Sequence, residues 1–293
     1  MVAERSLMDR FITITLYLLA TMAAMVTVLP FLHVVAVSLS SRSAISAYIV
    51  GLWPVGLTLD NYRWIVQNPQ FFSSLGISVA RVIVGVLAIL IVGVLTAYPL
   101  SREDIHLPGR TAFKMVLLFA MLFNGGLIPF YLSMRSLGLL NNFLVLILPG
   151  ALNIFYVILL INFFRGIPQE LRDAAAIDGA SHFDLLVRIY LPISLPVLAT
   201  VALFSTVTHW NSWFDAILYI NRSELWPLQS YLYSWIATGT VQWTTGWSEQ
   251  FRDITPEGLT MTFIVVAAAP VALVYPFLQR YFVHGLTLGA SKG

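Results

Sequence analysis

Residues 11–39 carry no Asp, Glu, Lys or Arg, and only Pro30 and His33 interrupt the apolar character of that run. A helix of this length exceeds the ~20 residues needed to cross the hydrocarbon core of a bilayer. It is also too long for the apolar core of a cleaved signal peptide, and residues 1–10 mix acids with bases. The run therefore reads as a retained first span. Five more runs of similar character follow, at about 73–100, 111–133, 143–164, 193–220 and 260–283. Charged residues make up 10% of the chain and hydrophobic ones 58%, with a mean hydropathy of +0.83. Soluble domains carry about 25% charged residues, so this chain has too little polar surface to cover a soluble globule. The expected fold is all-α and integral to the membrane, with six transmembrane helices in one domain spanning 1–293.

The flanking charges set an orientation. With the N-terminus inside, the inner segments hold ten basic residues: Arg5, Arg10, Arg102, Arg110, Lys114, Arg165, Arg172, Arg188, Arg280 and Lys292. The outer segments hold five: Arg42, Arg63, Arg135, Arg222 and Arg252. Arg81 falls within the second span and is left uncounted. This bias predicts that both termini and the segment 165–192 face the cytoplasm, and that 221–259 is an outer loop.

Several chemistries are excluded. The two lysines, Lys114 and Lys292, follow Phe113 and Ser291, so neither can be the lysine of a phosphate-cradling Gly-x-x-x-x-Gly-Lys loop. The five histidines are far apart, with no metal-ligand spacing. Cysteine is absent, which removes thiol catalysis and disulfides. A net charge of +2 with scattered basic residues argues against a nucleic-acid partner. The expectation is a chain that is not an enzyme and binds no cofactor or metal of its own.

The interruption at 170–196 reads ELRDAAAIDGASHFDLLVRIYLPISLP. Leu171, Ala174, Ala175 and Asp178 fall at helical spacing, and Gly179 is a stop. Ser181 is placed to cap a second short helix carrying Phe183, Leu186 and Val187 on one face. The small Ala174 and Ala175 let a partner surface approach closely. Such a charged helix–Gly–helix element at a membrane surface is something another protein can grip.

Asp173-Ala174-Ala175, then Gly179, Ile189, Leu191 and Pro192 at the matching offsets, resemble the EAA loop of permease subunits in binding-protein-dependent ABC importers. The ending, with YPFLQRYF at 275–282 and GASKG at 289–293, is similar to that of the oligosaccharide-type members. Asp173 departs from the family's glutamate, keeping the charge on a shorter stem; Arg280 and Ser291 depart in the ending. The resemblance implies a permease of the type I importer kind in a bacterial cytoplasmic (inner) membrane. It further implies a second homologous permease subunit, two ATPase subunits that hold ATP and Mg, and an extracytoplasmic solute-binding protein. Glu170, Asp173, Ala174, Ala175, Asp178, Gly179, Ile189, Leu191 and Pro192 would then couple to the ATPase, and the tail at 285–293 could reach the cleft between the ATPase subunits.

The fifth run holds His209, Trp210, Asn211, Trp213 and Asp215, and the fourth holds Asn153 and Asn162. Aromatic faces stack on sugar rings and amides bond hydroxyls, which would suit an oligosaccharide path. Interhelical hydrogen bonds and interfacial anchors account for the same residues. Trp226, Trp235, Trp243 and Trp247, with four acids nearby, mark 221–259 as a candidate surface for the solute-binding protein, or in part as a helix lying on the bilayer. Two other classes remain at this stage: an ion-gradient-driven secondary carrier, and a membrane scaffold.

Overall fold

The computed structural model describes residues 7–242 and 254–290, and their side chains except at residues 7, 238–242 and 274–290. Helix α1 (Leu7–Ser38) precedes two short helices, α2 (Arg42–Ser46) and α3 (Asp60–Gln67), and the long α4 (Pro69–Ser101). Then come α5 (Arg110–Leu122) and α6 (Leu127–Ser136), followed by two 3-10 turns, Phe143–Leu146 and Leu148–Gly150, and α7 (Ile154–Arg165). The middle of the chain holds α8 (Gln169–Ile177), α9 (His182–Leu185), a π-helical turn at Leu186–Tyr190, and α10 (Leu191–Ile193). Finally come α11 (Leu195–Asn211), α12 (Phe214–Tyr219), a 3-10 turn at Ser223–Leu225, α13 (Leu228–Gln242) and α14 (Pro256–Ala290). No strand occurs among the described residues.

Three helices are continuous and apolar enough to cross a membrane: α1, α4 and the part of α14 over Pro256–Leu273. Three more spans arise only if each of three bent pairs counts as one. The stretch 111–133, expected as one run, is α5 and α6 meeting at 118°. The reason lies in three residues that composition does not weigh. Phe123 is extended, the Asn124 side chain accepts a hydrogen bond from Gly126 N at 2.9 Å, and Gly126 sits at φ 88°, ψ 171°. That last conformation is open to glycine and costly for other residues. The fourth run, expected at 143–164, starts as 3-10 turns and bends by 46° into α7. Within 221–259, residues 228–242 are helical.

The described residues form two compact units, one from those up to Pro69 together with those of Ser234–Ala269, the other from Gln70–Tyr233 and those from Pro270 onward. In the first unit, Ile65, Leu259 and Phe263 are buried, and Asn61 Nδ2 donates to Ser38 O at 3.2 Å. Trp64 lies edge-on to Trp235 with ring centroids 5.1 Å apart. The apolar window of α1 buries nothing.

In the second unit, α4, α7, α11 and the π turn share a core of Ile89, Ala97, Tyr98, Val157, Leu160, Phe164, Tyr190 and Val201 among others. A smaller core joins Met134, Val145, Leu146, Ala216, Tyr219 and Ile220. Small residues set the approach of the helices. A Cβ on Gly85 would lie 2.4 Å from His209 Nε2, and one on Gly93 would lie 3.2 Å from Leu160 Cδ1. Gly85→Ala is therefore expected to lower thermal stability in detergent by about 1–3 kcal/mol through overpacking. Removing the ring in a Gly85→Ala/His209→Ala double variant should recover much of that loss. Equal melting of Gly85→Ala and the parent would show that α4 and α11 are not held at this distance.

Candidate functional site

Helix α8 ends in a way its sequence dictates. Gly179 takes φ +76°, its N–H bonds Ala176 O at 3.1 Å, and Ala180 N–H bonds Ala175 O at 3.0 Å. This 5→2 and 6→1 pair closes the orphan carbonyls of the last turn, with glycine at the left-handed position. Nothing lies within 4 Å of where a Cβ on Gly179 would stand, so the constraint there is conformational and not steric. Two residues on, Ser181 starts α9 with a capping box. Its hydroxyl accepts from Asp184 N at 3.2 Å, and the Asp184 carboxylate accepts from Ser181 N at 3.2 Å.

The pair α8–α9 is open on its outer side. No residue of α8 is buried; Ile177 is 87% exposed and Phe183 72% exposed. Glu170, Asp173, Ala174, Asp178 and Gly179 are exposed, and Ala175 is half-buried. The outer side thus carries two exposed apolar side chains, Ile177 and Phe183, and three exposed acids, Glu170, Asp173 and Asp178. Ile189 and Leu191 turn inward against the main core of the second unit, while Pro192 is exposed. Pro192 lacks the N–H that would bond residue 188, and its ring crowds that carbonyl. The π turn at Leu186–Tyr190 lies just ahead of it, and the chain then bends by 76° into α11.

Beneath α8 lies a charged hub. Arg102 is 4% exposed; its Nε donates to Asp104 Oδ1 at 2.8 Å, its Nη2 bonds Asp104 Oδ2, and its Nη1 donates to Tyr98 Oη at 3.0 Å. The guanidinium also faces the rings of Tyr98 and Tyr190, 5.7 and 5.9 Å from their centroids. Arg172 of α8 reaches the same carboxylate, Nη1 to Oδ1 at 3.4 Å, and Arg165 Nη2 donates to Glu103 Oε1 at 3.1 Å. The fork of Arg102 holds the Asp104 carboxyl down at about 2, and drives Arg102's own pKa further up.

A second polar seam joins α4 to the break between α11 and α12. Arg81 is 3% exposed and clasps Asp215 with both terminal nitrogens; its Nη1 donates at 3.1 Å to Oδ1 and at 3.3 Å to Ser212 O. Asp215 Oδ1 also accepts from Ser212 Oγ and Ala216 N, each at 3.0 Å. Both oxygens are thus engaged within the chain. His209 and Trp210 are buried; Asn211 is exposed, and Trp213, 37% exposed, stacks on Tyr233 at 4.1 Å. Asn153 caps α7, accepting from Tyr156 N at 3.3 Å, and Asn162 is exposed. Of the tryptophans at 221–259, Trp226 is half-buried and donates its indole N–H to Ile220 O at 2.8 Å. Trp235 is half-buried beside Trp64 and Phe263. Neither stands out as a bare aromatic, because each packs on its own unit. Trp243 and Trp247 lie outside the described residues, as do the side chains of the tail.

The profile of the binding-protein-dependent transport system inner membrane component family matches residues 111–288. The chain belongs to this family. This permease is 40% identical over 268 residues to the protein LplC of Bacillus subtilis, covering 92% of the permease and 90% of LplC. It is 39% identical over 287 residues to the polygalacturonan/rhamnogalacturonan transport system permease protein YtcP of the same organism, covering 97% and 99%. Among solved structures it is similar to a chain of a bacterial ABC transporter involved in the import of the acidic polysaccharide alginate. That likeness has a TM-score of 0.87 at 32% identity, over 96% of the permease and 100% of that chain. The permease is accordingly an inner-membrane component, with the fold of an ABC importer permease.

Sequence reasoning placed the helix–Gly–helix and missed what lies under it. Arg102, Glu103 and Asp104 stand out as SREDIH between two apolar runs, and the signal was their concentration of charge. For Asp104 the stabilising contribution is present above its unfolded pKa of about 4 and lost as pH falls through its folded value. The stability advantage of the wild-type permease over Asp104→Asn should therefore fade between about pH 4 and pH 2. A gap that instead persists undiminished at pH 2 would mean the carboxylate is not what Arg102 stabilises.

Proposed function

We propose that the permease is the transmembrane subunit of an ATP-driven importer that moves an oligosaccharide from a solute-binding protein into the cytoplasm by alternating access. The observation that carries this reading is the α8–α9 pair: rigidly terminated helices open on their outer side, with Ile177 and Phe183 exposed and the acids Glu170, Asp173 and Asp178 exposed on the same segment. The chain has no phosphate-cradling loop of its own, so the energy would enter through this surface. Two ATPase subunits, holding ATP and Mg, would grip it, with Glu170, Asp173, Ala174, Ala175, Asp178 and Gly179 in contact. Ile189, Leu191 and Pro192 would carry the motion into α11 at the 76° bend.

A second homologous permease subunit would complete the path. Oligosaccharide as the substrate class is supported by the names of relatives. YtcP is a polygalacturonan/rhamnogalacturonan permease, and the AraQ relative from Halalkalibacterium halodurans, 29% identical, is an arabinooligosaccharide permease. The alginate transporter adds an acidic polysaccharide. Asn211 and Trp213, which present surface at the helix break, are the best placed of the substrate-path candidates; Asn153, Asn162, His209, Trp210 and Asp215 would shape the path more indirectly. Given six spans, the ten-to-five charge bias supports both termini and α8–α9 being read as cytoplasmic.

Gly179 supplies the test. Val at a position with φ +76° strains the backbone, by more than the roughly 1–2 kcal/mol an ordinary residue costs there. Asn tolerates the conformation. In complexes purified from the native membrane, Gly179→Val should insert normally yet lose the coupling of ATP hydrolysis to uptake, and Gly179→Asn should keep most of it. Recovery of the wild-type chain without any ATPase, with uptake that collapses with the ion gradient, would overturn the reading.

A further inference from the structure

A nine-residue helix with no fully buried side chain has little packing to fix its direction. Helices shorter than ~12–15 residues are marginal on their own. The Gly179 turn fixes where α8 ends and leaves open how it is held against the rest of the second unit. Among its described side chains, Arg172 reaches down, and what it meets is not an isolated surface acid. Asp104 is already locked by Arg102, whose buried guanidinium faces the rings of Tyr98 and Tyr190 in the main core. Tyr190 belongs to the π turn that follows α9, and Tyr98 to the last turns of α4. On the other side of the corner at 166–168, Arg165 pairs with the neighbouring acid Glu103. Two consecutive acids thus hold the arginines that flank that corner.

We propose that the Arg102–Asp104–Arg172 bridge is a brace that makes α8 and α4 move as one body, with Arg102, Asp104 and Arg172 as positioning residues for the transport step. The inference rests on the ATP-driven reading above. Its structural logic is that a push on α8 has two outlets. One runs along the chain through the π turn to α11; the other runs through Asp104 to α4. Helix α4 carries Arg81 and Gly85, the residues that meet Asp215 and His209. Arg102 and Arg81 are 21 positions apart, about 30 Å along a helix at ~1.5 Å per residue. By this second outlet α4 would reach the seam from the opposite side to α11, so that the seam is loaded by both helices together.

The chain has no cysteine, so a pair of spin labels can be placed cleanly. Gln169→Cys on α8, which lies outside the residues assigned to the ATPase contact, and Ile91→Cys on α4 both stand on exposed positions. In the complex purified from the native membrane, their distance distribution is expected to be single and narrow, and to stay so on adding ATP and Mg. Arg172→Gln, which leaves the Arg102–Asp104 pair and the core untouched, should broaden it several-fold, and Asp104→Asn should do the same. The double variant should be no broader than either single one, and Asp104→Glu should restore the narrow distribution. A wild-type distance that shifts with ATP and Mg, or an Arg172→Gln distribution as narrow as the wild type, overturns the brace while the co-purified ATPase leaves the ATP-driven reading standing. A wild-type chain that brings down no ATPase overturns that reading, and the inference with it.

Discussion

A backbone that crosses lipid must close its own hydrogen bonds, because no water is there to close them. The architecture of this permease follows from where that rule is relaxed. At residues 123–126 the Asn124 side chain accepts from Gly126 N, and α5 gives way to α6 at a steep angle. At Pro192 the missing N–H is met by a π turn upstream and a bend downstream. At Ser212 and Trp213 the helix opens, and Arg81 takes up the Ser212 carbonyl. The first and last interruptions have a polar repair, the second a change of helical pitch, and the functional candidates gather beside the last two.

The ion pairs differ in kind. Arg81 with Asp215 is a buried clasp whose removal on one side would strand the other charge, a situation that typically costs several kcal/mol. Arg102 with Asp104 is half-open to solvent, yet its guanidinium has aromatic rings and a phenol on its inner side. Exposed pairs such as Arg63 with Asp60 contribute about 1 kcal/mol or less. Charge in this membrane protein is therefore concentrated where helices end or break, and it specifies orientation more than it adds stability.

Much of the local structure was legible in the sequence. The apolar runs marked the helices, the spacing of Leu171, Ala174 and Ala175 marked α8, and Gly179 and Ser181 marked its end and the start of α9. Gly125 and Gly126 signal a kink, but not a 118° turn, because that depends on the Asn124 side chain closing onto Gly126 N. Pairings across long separations were hidden too: 134 positions separate Arg81 from Asp215, and 68 separate Asp104 from Arg172. For Asp215, offered by the sequence either as part of a substrate path or as an interhelical hydrogen-bonding group, the partner Arg81 lies too far along the chain for spacing to reveal it. The packing of Trp226 and Trp235 on their own units was hidden as well, because composition cannot tell an exposed ring from one folded back.

Helix α8 buries none of its side chains, so its outer face is under no obligation to the permease's own interior. The residues that terminate it and the single arginine beneath it are enough to present it. Everything else on that face answers to whatever docks there. Such a helix is a separable module: its outward sequence can change without disturbing the interior to which it is attached.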